Sequence, residues 1–503
     1  MLSPLIRRRQ RFANDSRKND SRAFDAHKNE RGVTIAFVAL SIVGIISMAA
    51  LSIDIGTLYQ SKAEAQRAAD AAALTAARVI SLSGITGDPS NISTSWQPTC
   101  GGSTSAATLA AIAIARARAN FVGGVPLPTV TVGYGPGGTA TDCSSLVGTT
   151  FAVNPTVTVT VASGTLPVFF AKIFSLIPGG TYSGATVSAT AAAEAFNPSG
   201  SSALTTGQVS VQPKCVKPIL LPNLDPGNPA GCVAPPITGT LPNQCLPLIN
   251  TTTGAIQNPG IQSAGGSTIG VIGETFNLIA DCLSSSPGSC IPTVYPPQPN
   301  VLPVTVQPNL EYLPALISYT SPAPAAPSCA TGSSSGSPYY QQAVAGCDQN
   351  TVYQCGLQSS KAPNPNQVDL SENPGTPLGD TAIAAQCLIN GGTGSGQDTL
   401  ALTSIPYPIT AGSASIYNVA GSLVSSSNSI VSLPIFDQTQ SPTLPANGAV
   451  TIVGFVQVFI NSIDAATGNL NVTVLNVAGC GNQATGNAVV GTSPVPVRLI
   501  TPP

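Results

Sequence analysis

The residues that could do chemistry are few, and their spacing excludes more than it offers. A single histidine, His27, stands in a basic stretch near the N-terminus. A Ser-His-Asp or Cys-His mechanism in the long remainder of the chain therefore has no imidazole base, and histidine-bearing zinc sites are excluded there too. His27 itself reads as a solvated side chain. Gly133-Tyr134-Gly135-Pro136-Gly137-Gly138 fits G-x-G-x-x-G, but the following TATDCSSL has no helical pattern to aim amide dipoles at a pyrophosphate. A glycine-rich hairpin loop is the reading. Asp437-Gln438-Thr439-Gln440-Ser441 imitates a D-x-(S/T)-x-S metal motif. Only 62 residues follow it and Pro442 interrupts it, so a strand-to-turn junction is expected.

Twelve cysteines run from Cys100 to Cys480, with no C-x-x-C among them. The even count favours disulfides in an oxidising compartment, and the missing C-x-x-C removes the main support for redox or zinc-ribbon chemistry. Cys282/Cys290 and Cys347/Cys355 share one short spacing and are the first candidate pairs, although sequence does not fix connectivity. Acids are sparse. The one that stands out is Asp54, at the end of a long apolar run; it is either hydrated there or paired with a basic group on a partner helix. No catalytic, cofactor-binding or metal set emerges, and the chain reads as a non-enzyme.

The element that positions all of this is Val33 to about Leu82. From Val33 to Ile53 no residue is charged, with Val33, Ile35, Phe37, Leu40, Ile45, Leu51 and Ile53 among the apolar positions. At ~1.5 Å per residue the run matches the ~30 Å hydrocarbon core of a bilayer. Arg7 to Arg31 carries nine Lys or Arg against four Asp or Glu. Positive flanks stay in the cytoplasm, so residues 1–31 read as a cytoplasmic basic tail and the bulk of the chain as outside. The apolar run is too long for a secretory signal peptide and leads into more helix, so an uncleaved anchor is expected. Ala-rich sequence without proline extends that helix as a stem. Ala65, Ala69, Ala72 and Ala76 form a small-residue stripe on which a partner helix or the chain's own sheet could dock; alanine's helix propensity alone explains it equally well. Asp70, three residues after Arg67, reads as a surface pair.

The residues of this segment carry a resemblance. Arg31-Gly32, the apolar span, Asp54-Ile55-Gly56, Tyr59, and Ala65-Gln66 followed by Ala68 to Ala73 (with Ala69 and Asp70) look like the N-terminal domain of the Flp pilus-assembly TadG-like family. The likeness covers about 50 of 503 residues. It implies a role in the tight-adherence pilus or secretion machinery of bacteria, with inner-membrane and periplasmic components as partners. It implies no known chemistry. A prepilin-like leader ending at Gly32 is the rival; prepilins have a Glu five residues after the cut, where this chain has Phe37.

Composition bounds the remainder. Charged residues are 8%, with 49 Gly and 45 Pro, which suits exported β-rich segments more than cytosolic enzymes. The net charge of −2, with no basic patch beyond the tail, argues against nucleic acid. The fold class expected is α+β: a single transmembrane and stem helix over 32–82, a pilin-like helix-plus-antiparallel-sheet domain over 83–196, a Pro/Gly/Ser-rich cysteine-containing region over 197–345, and a β-rich domain over 346–503. Helices are expected at Ala106 to Phe121, Pro167 to Leu176 and Asp380 to Asn390. Strands are expected at Thr129 to Tyr134, Thr156 to Val161, Ala185 to Ala195, Ser429 to Phe436, Ala449 to Ile460, Asn469 to Val477 and Val495 to Ile500. The function expected is a single-pass, membrane-anchored accessory protein of pilus assembly or secretion that binds membrane lipid and other proteins, without cofactor or small-molecule substrate. The alternatives are a minor pseudopilin processed after Gly32 or a membrane-tethered surface adhesin.

Overall fold

The computed structural model describes residues 26–83, 85–87, 97–119, 128–146, 151, 154–166, 170, 184–196, 209–225, 247–258, 270–280, 309–315, 329, 338–349, 351–356, 379–403, 407–415, 419–424, 426–437, 450–464, 468–482, 485–491 and 493–502. The chain divides into two compact units. The first comprises Met1–Ser61, Val122–Val125 and Thr165–Thr186, and the second Lys62–Phe121, Pro126–Gly164 and Val187–Pro503.

The first unit holds the apolar part of helix α1, which runs from Ala26 to Ser81. It starts seven residues before Val33, because Ala26, Lys28, Glu30 and Arg31 are all good helix formers. In the same unit Leu166 bridges to Ala185, with the Leu166 N–H 2.7 Å from the Ala185 carbonyl. The helix expected at Pro167 to Leu176 lies outside the described residues apart from Phe170.

The second unit begins with the last part of α1. After it come a short helix α2 (Gln97–Cys100), α3 (Ala106–Arg118), and three strands: β1 (Thr129–Tyr134), β2 (Thr156–Ala162) and β3 (Ser188–Ala195). Strict alternation in β2 places Val157, Val159 and Val161 on one buried face, with the intervening threonines half-buried. The antiparallel register sets Ala193, Ala191 and Ala189 of β3 opposite those valines, and Tyr134, Val132 and Val130 of β1 on the other side. Thr108 of α3 meets Tyr134 Oη at 2.7 Å, which ties that helix to the sheet.

Beyond Phe196 the expected division at residue 345 does not coincide with strand pairing. β4 (Val209–Pro213) is followed by β5 (Ile219–Pro222), β6 (Thr275–Ala280), β7 (Asn309–Pro314), helix α4 (Pro338–Ala345) and helix α5 (Asp380–Asn390). Short strands β8 (Thr399–Leu400), β9 (Ile409–Thr410) and β10 (Leu423–Val424) make a small meander. Then come β11 (Ile430–Phe436), β12 (Ile452–Ile463) and β13 (Leu470–Gly479). A closed barrel joins them in the order β11-β12-β13-β6-β7-β5, so three strands from the Pro-rich region complete a cylinder with three from the C-terminal region. Closure leaves no unpaired edge, and it explains why Ile452 to Ile460 reads as a nearly unbroken apolar run. Val453, Val456 and Val458 enter the main core with Leu278, Leu310 and Leu433, whereas Phe455 packs in a second cluster with Leu220 and Phe436. Gly454 and Gly479 face each other where the turn after Ile249 crosses the barrel wall; a Cβ on Gly479 would stand 2.3 Å from the Gly254 carbonyl.

The last two strands return to earlier parts of the unit. β14 (Thr485–Gly491) pairs in parallel with β4, and β15 (Val497–Ile500) adds antiparallel to β3. The four-stranded sheet β1-β2-β3-β15 thus takes its fourth strand from near the C-terminus, with Arg498 Nε 2.5 Å from Glu194 Oε1.

Candidate functional site

Val33, Ile35, Phe37, Leu40, Ile45, Leu51 and Ile53 are all exposed, from 47% at Leu51 to 70% at Ile35. Val38, Ile42, Val43 and Ile46 are exposed between them, so every face of the helix is apolar and uncovered. A helix that is hydrophobic all round needs an apolar surround, and each such side chain gains about 1.5–3 kcal/mol on leaving water. Two serines within the run do not oppose this. Ser41 donates to the Phe37 carbonyl at 2.8 Å and Ser47 to the Val43 carbonyl at 2.7 Å, so neither hydroxyl carries an unmet donor into hydrocarbon.

Asp54 departs from the expectation of hydration. It is 2% exposed, and its Oδ2 accepts the Phe170 backbone N–H at 3.0 Å within the first unit. A carboxylate withdrawn from water needs donors in exchange, and here the chain's own backbone supplies one. Gly56 has open space where a Cβ would project, and Tyr59 is 75% exposed just over one turn beyond Asp54. An exposed tyrosine just past an apolar span suits the amphipathic layer between hydrocarbon and water. Arg31 and Gly32 lie within α1, as does His27, whose side chain is outside the described residues.

Past Ser61 the same helix turns from exposed to covered. Ala65, Ala69, Ala72 and Ala76 are wholly buried, together with Ala68, Ala73, Ala77 and Ile80. Lys62 Nζ donates to the Ser188 carbonyl and Gln66 Nε2 to the Thr190 carbonyl at 3.4 Å, both on β3. Of the two occupants the alanine stripe allowed, the chain's own sheet is the one these bonds identify. Alanine permits that approach because it keeps the helix backbone close to its neighbour. Gln66 also donates to Asp70 Oδ1 at 2.8 Å, so the acid pairs with an amide four residues back rather than with Arg67 as expected. At the end of α1, Asn476 of β13 donates to the Ser81 carbonyl at 2.5 Å, capping a terminal acceptor from within the barrel.

The other motifs resolve into ordinary chain geometry. Gly133 and Tyr134 end β1, and Pro136–Gly138 forms one 3-10 turn in place of a helix. The Gly135 and Gly138 amides are spent on the Thr156 and Gly135 carbonyls at 3.0 and 2.9 Å. Asp437 is buried at the end of β11 with its N–H on the Thr451 carbonyl at 2.9 Å, and residues 438–441 lie outside the described ones. Among the described residues no group of three or more His, Cys, Asp or Glu is placed to hold a metal ion.

The cysteine pairing needs correction. Cys347 is joined to Cys215 and Cys355 to Cys480, across 132 and 125 residues, not to each other; Cys100–Cys143 and Cys329–Cys387 complete the described bonds. Cys347 follows α4 while Cys355 sits in the second core cluster against β12, so barrel closure separates two cysteines that are neighbours in sequence. Cys282 and Cys290 lie outside the described residues.

Two cations were not legible in advance. Arg78, in the last turn of α1, and Lys217, just before β5, line one cavity in the second unit. Lys217 is buried and donates to the Gly346 carbonyl. Burial pulls its ammonium down to about 7, with Asp348 opposing in part, and burial lowers Arg78 to about 10. The only sequence signal was a lysine separated by a single proline from the apolar run Ile219 to Leu221.

The sign of the Lys217 effect is fixed. Between about 7 and the ordinary lysine value of 10.5 the unfolded chain holds a proton that the folded chain has released, so stability rises with pH across that window. The slope reaches at most about 1.4 kcal/mol per pH unit. Above pH ~10 it reverses, because burial raises Tyr312, Tyr353 and Tyr407, which then ionise first in the unfolded state. Denaturant titrations of the full chain in detergent at pH 7 and pH 9 are expected to show the rise, and Lys217→Met is expected to abolish it.

The fold and the helix define a class: an α+β protein with, among the described residues, one apolar helix of bilayer length. Within that class, residues 32–79 match the model of the Tad family, "Putative Flp pilus-assembly TadE/G-like". The match covers the span, Asp54, Tyr59 and most of the alanine face. No curated protein and no solved structure matches the chain.

Proposed function

We propose that this chain is a single-pass accessory protein of Flp, or tight-adherence, pilus assembly, anchored in the bacterial inner membrane with its N-terminus in the cytoplasm. The bulk of the chain lies in the periplasm and works through protein–protein contacts with inner-membrane and periplasmic components of the machinery, not through catalysis. The observation that carries the reading is the two-part character of α1. Its Tad-like residues are apolar and exposed on every face up to Ile53, then buried against the chain's own sheet from Ala65 onward. Such a helix offers an apolar segment to a bilayer and a small-residue segment to a folded sheet. The four disulfides among the described residues of the second unit suit an oxidising compartment.

Topology is the test. Two variants, Ser16→Cys and Thr501→Cys, are each labelled with a membrane-impermeant maleimide in spheroplasts. Labelling of Thr501→Cys and protection of Ser16→Cys are expected; the reverse pattern refutes the orientation. N-terminal sequencing of the membrane-bound chain is expected to find no start at Val33, and such a start would favour the processed-subunit reading instead.

A further inference from the structure

The cavity that Arg78 and Lys217 line has a volume of about 540 Å³, within the ordinary range of small-molecule sites. It is assembled from distant parts of the second unit. Arg78 comes from the stem, Lys217 from the turn before β5, Leu388 from α5, Ile430 and Val431 from β11, and Gln457 from β12. Cys215, two residues before Lys217, also lines it, and is the one non-glycine described residue with a positive φ, 58°. Backbone held in that sparsely populated region recurs around functional sites.

The charges in this cavity are one-sided. Both ionisable residues of its described lining are cations, and no carboxylate is among them. Lys217 has compensation nearby, from the Gly346 carbonyl and the field of Asp348. Arg78 has none among the described residues: the described ion pair is Arg498–Glu194, and burial alone governs the Arg78 guanidinium. Arg78 is half-buried, so its guanidinium is open to the cavity and offers an oxyanion a planar fork of donors. Lys217 is already held by the Gly346 carbonyl and faces Asp348, and the Asp398 carboxylate stands behind the wall on Ser427, so the cavity has room for little negative charge and a monoanion on Arg78 suits it better than a phosphate dianion. Ala345, Leu388 and Val431, which share the main core cluster, would cover an apolar body, while Asn428 and Gln457 offer amides to its polar edge.

We propose that this cavity binds a monocarboxylate with an apolar body, its carboxylate on Arg78 and its body against Ala345, Leu388 and Val431. Two sources share that chemistry, a free amino-acid-sized acid and the C-terminal carboxylate of another polypeptide. Because Arg78 belongs to α1, and Val431 and Gln457 to the barrel, occupancy would add a bridge between them. The inference stands apart from the pilus reading, since it uses only the second unit.

The test uses the full chain in lipid nanodiscs and titration calorimetry. The probes are N-acetyl-leucine, its uncharged amide, a hexapeptide ending in a free leucine carboxylate, the same peptide amidated, and inorganic phosphate. Saturable binding of an acid, with its amide at least tenfold weaker, is expected. Tighter binding of the hexapeptide than of N-acetyl-leucine supports a chain terminus as the source, and comparable binding supports the free acid. Arg78→Met is expected to lose at least tenfold in affinity for the acid. The acid–amide comparison on the unaltered chain holds even if that variant fails to fold. Equal binding of acid and amide, binding of phosphate above that of the acids, or no binding of either acid at millimolar concentration overturns the proposal.

Discussion

Replacing Val43 and Ile46 together by aspartate is expected to move this protein from the membrane pellet to the alkaline-carbonate supernatant, whereas Val43→Asp alone leaves most of it embedded. The difference follows from magnitudes. Val33 to Ile53 contains eleven Val, Ile, Leu or Phe residues. At roughly −0.3 to −0.6 kcal/mol each they favour insertion by about 3–7 kcal/mol, less the small cost of the serines, threonine and glycine. One aspartate at the centre costs about 3 kcal/mol and two cost about 6, before the two lost apolar side chains are counted. A single charge therefore narrows the margin and a pair removes it. The outcome that counts against an anchor is carbonate extraction of the unaltered chain. Retention of the double variant would mean that the second unit, not the span, holds the protein at the membrane.

How much of this was readable before the structure depends on the range of the interaction. The long apolar helix and its alanine-rich continuation were legible because composition and helix propensity act within a few turns, and α1 runs over the expected stretch with a slightly earlier start. Strands whose alternation is strict, such as Thr156 to Ala162, were legible for the same reason. The barrel was not. Its strands β5, β6 and β7 come from a Pro-rich region whose short apolar runs carry no period of their own. They become strands because β11 and β13 offer them edges, a tertiary effect that overrides local texture. Asp54 failed in the other direction. Sequence placed it at a water interface, and only the fold brings the Phe170 N–H, 116 residues away, to its carboxylate. Arg78 and Lys217 share a cavity for that same reason, with nothing in their local sequence linking them.

The cysteine map makes the cost of long-range closure measurable. By the chain-entropy relation a cross-link of about nine residues, as expected for Cys347 with Cys355, restricts the unfolded chain by roughly 2.6 kcal/mol, while one spanning about 125 residues restricts it by roughly 4.9 kcal/mol. Cys355–Cys480 is of the second kind, and both cysteines are buried in the cluster with Val450, Ile452 and Phe455. Cys355→Ala with Cys480→Ala is therefore expected to cost about 4–5 kcal/mol, a large part of the roughly 5–15 kcal/mol that ordinarily holds a domain together. Denaturant midpoints of the full chain in detergent would measure it. A loss below about 1 kcal/mol, well under the chain-entropy value, would mean that barrel closure, and not the bond, already restricts that stretch of chain. Peptide mapping without reductant decides the connectivity independently. Fragments joining Cys215 to Cys347 and Cys355 to Cys480 are expected, and a fragment joining Cys347 to Cys355 would require the strands around β12 and β13 to be paired differently.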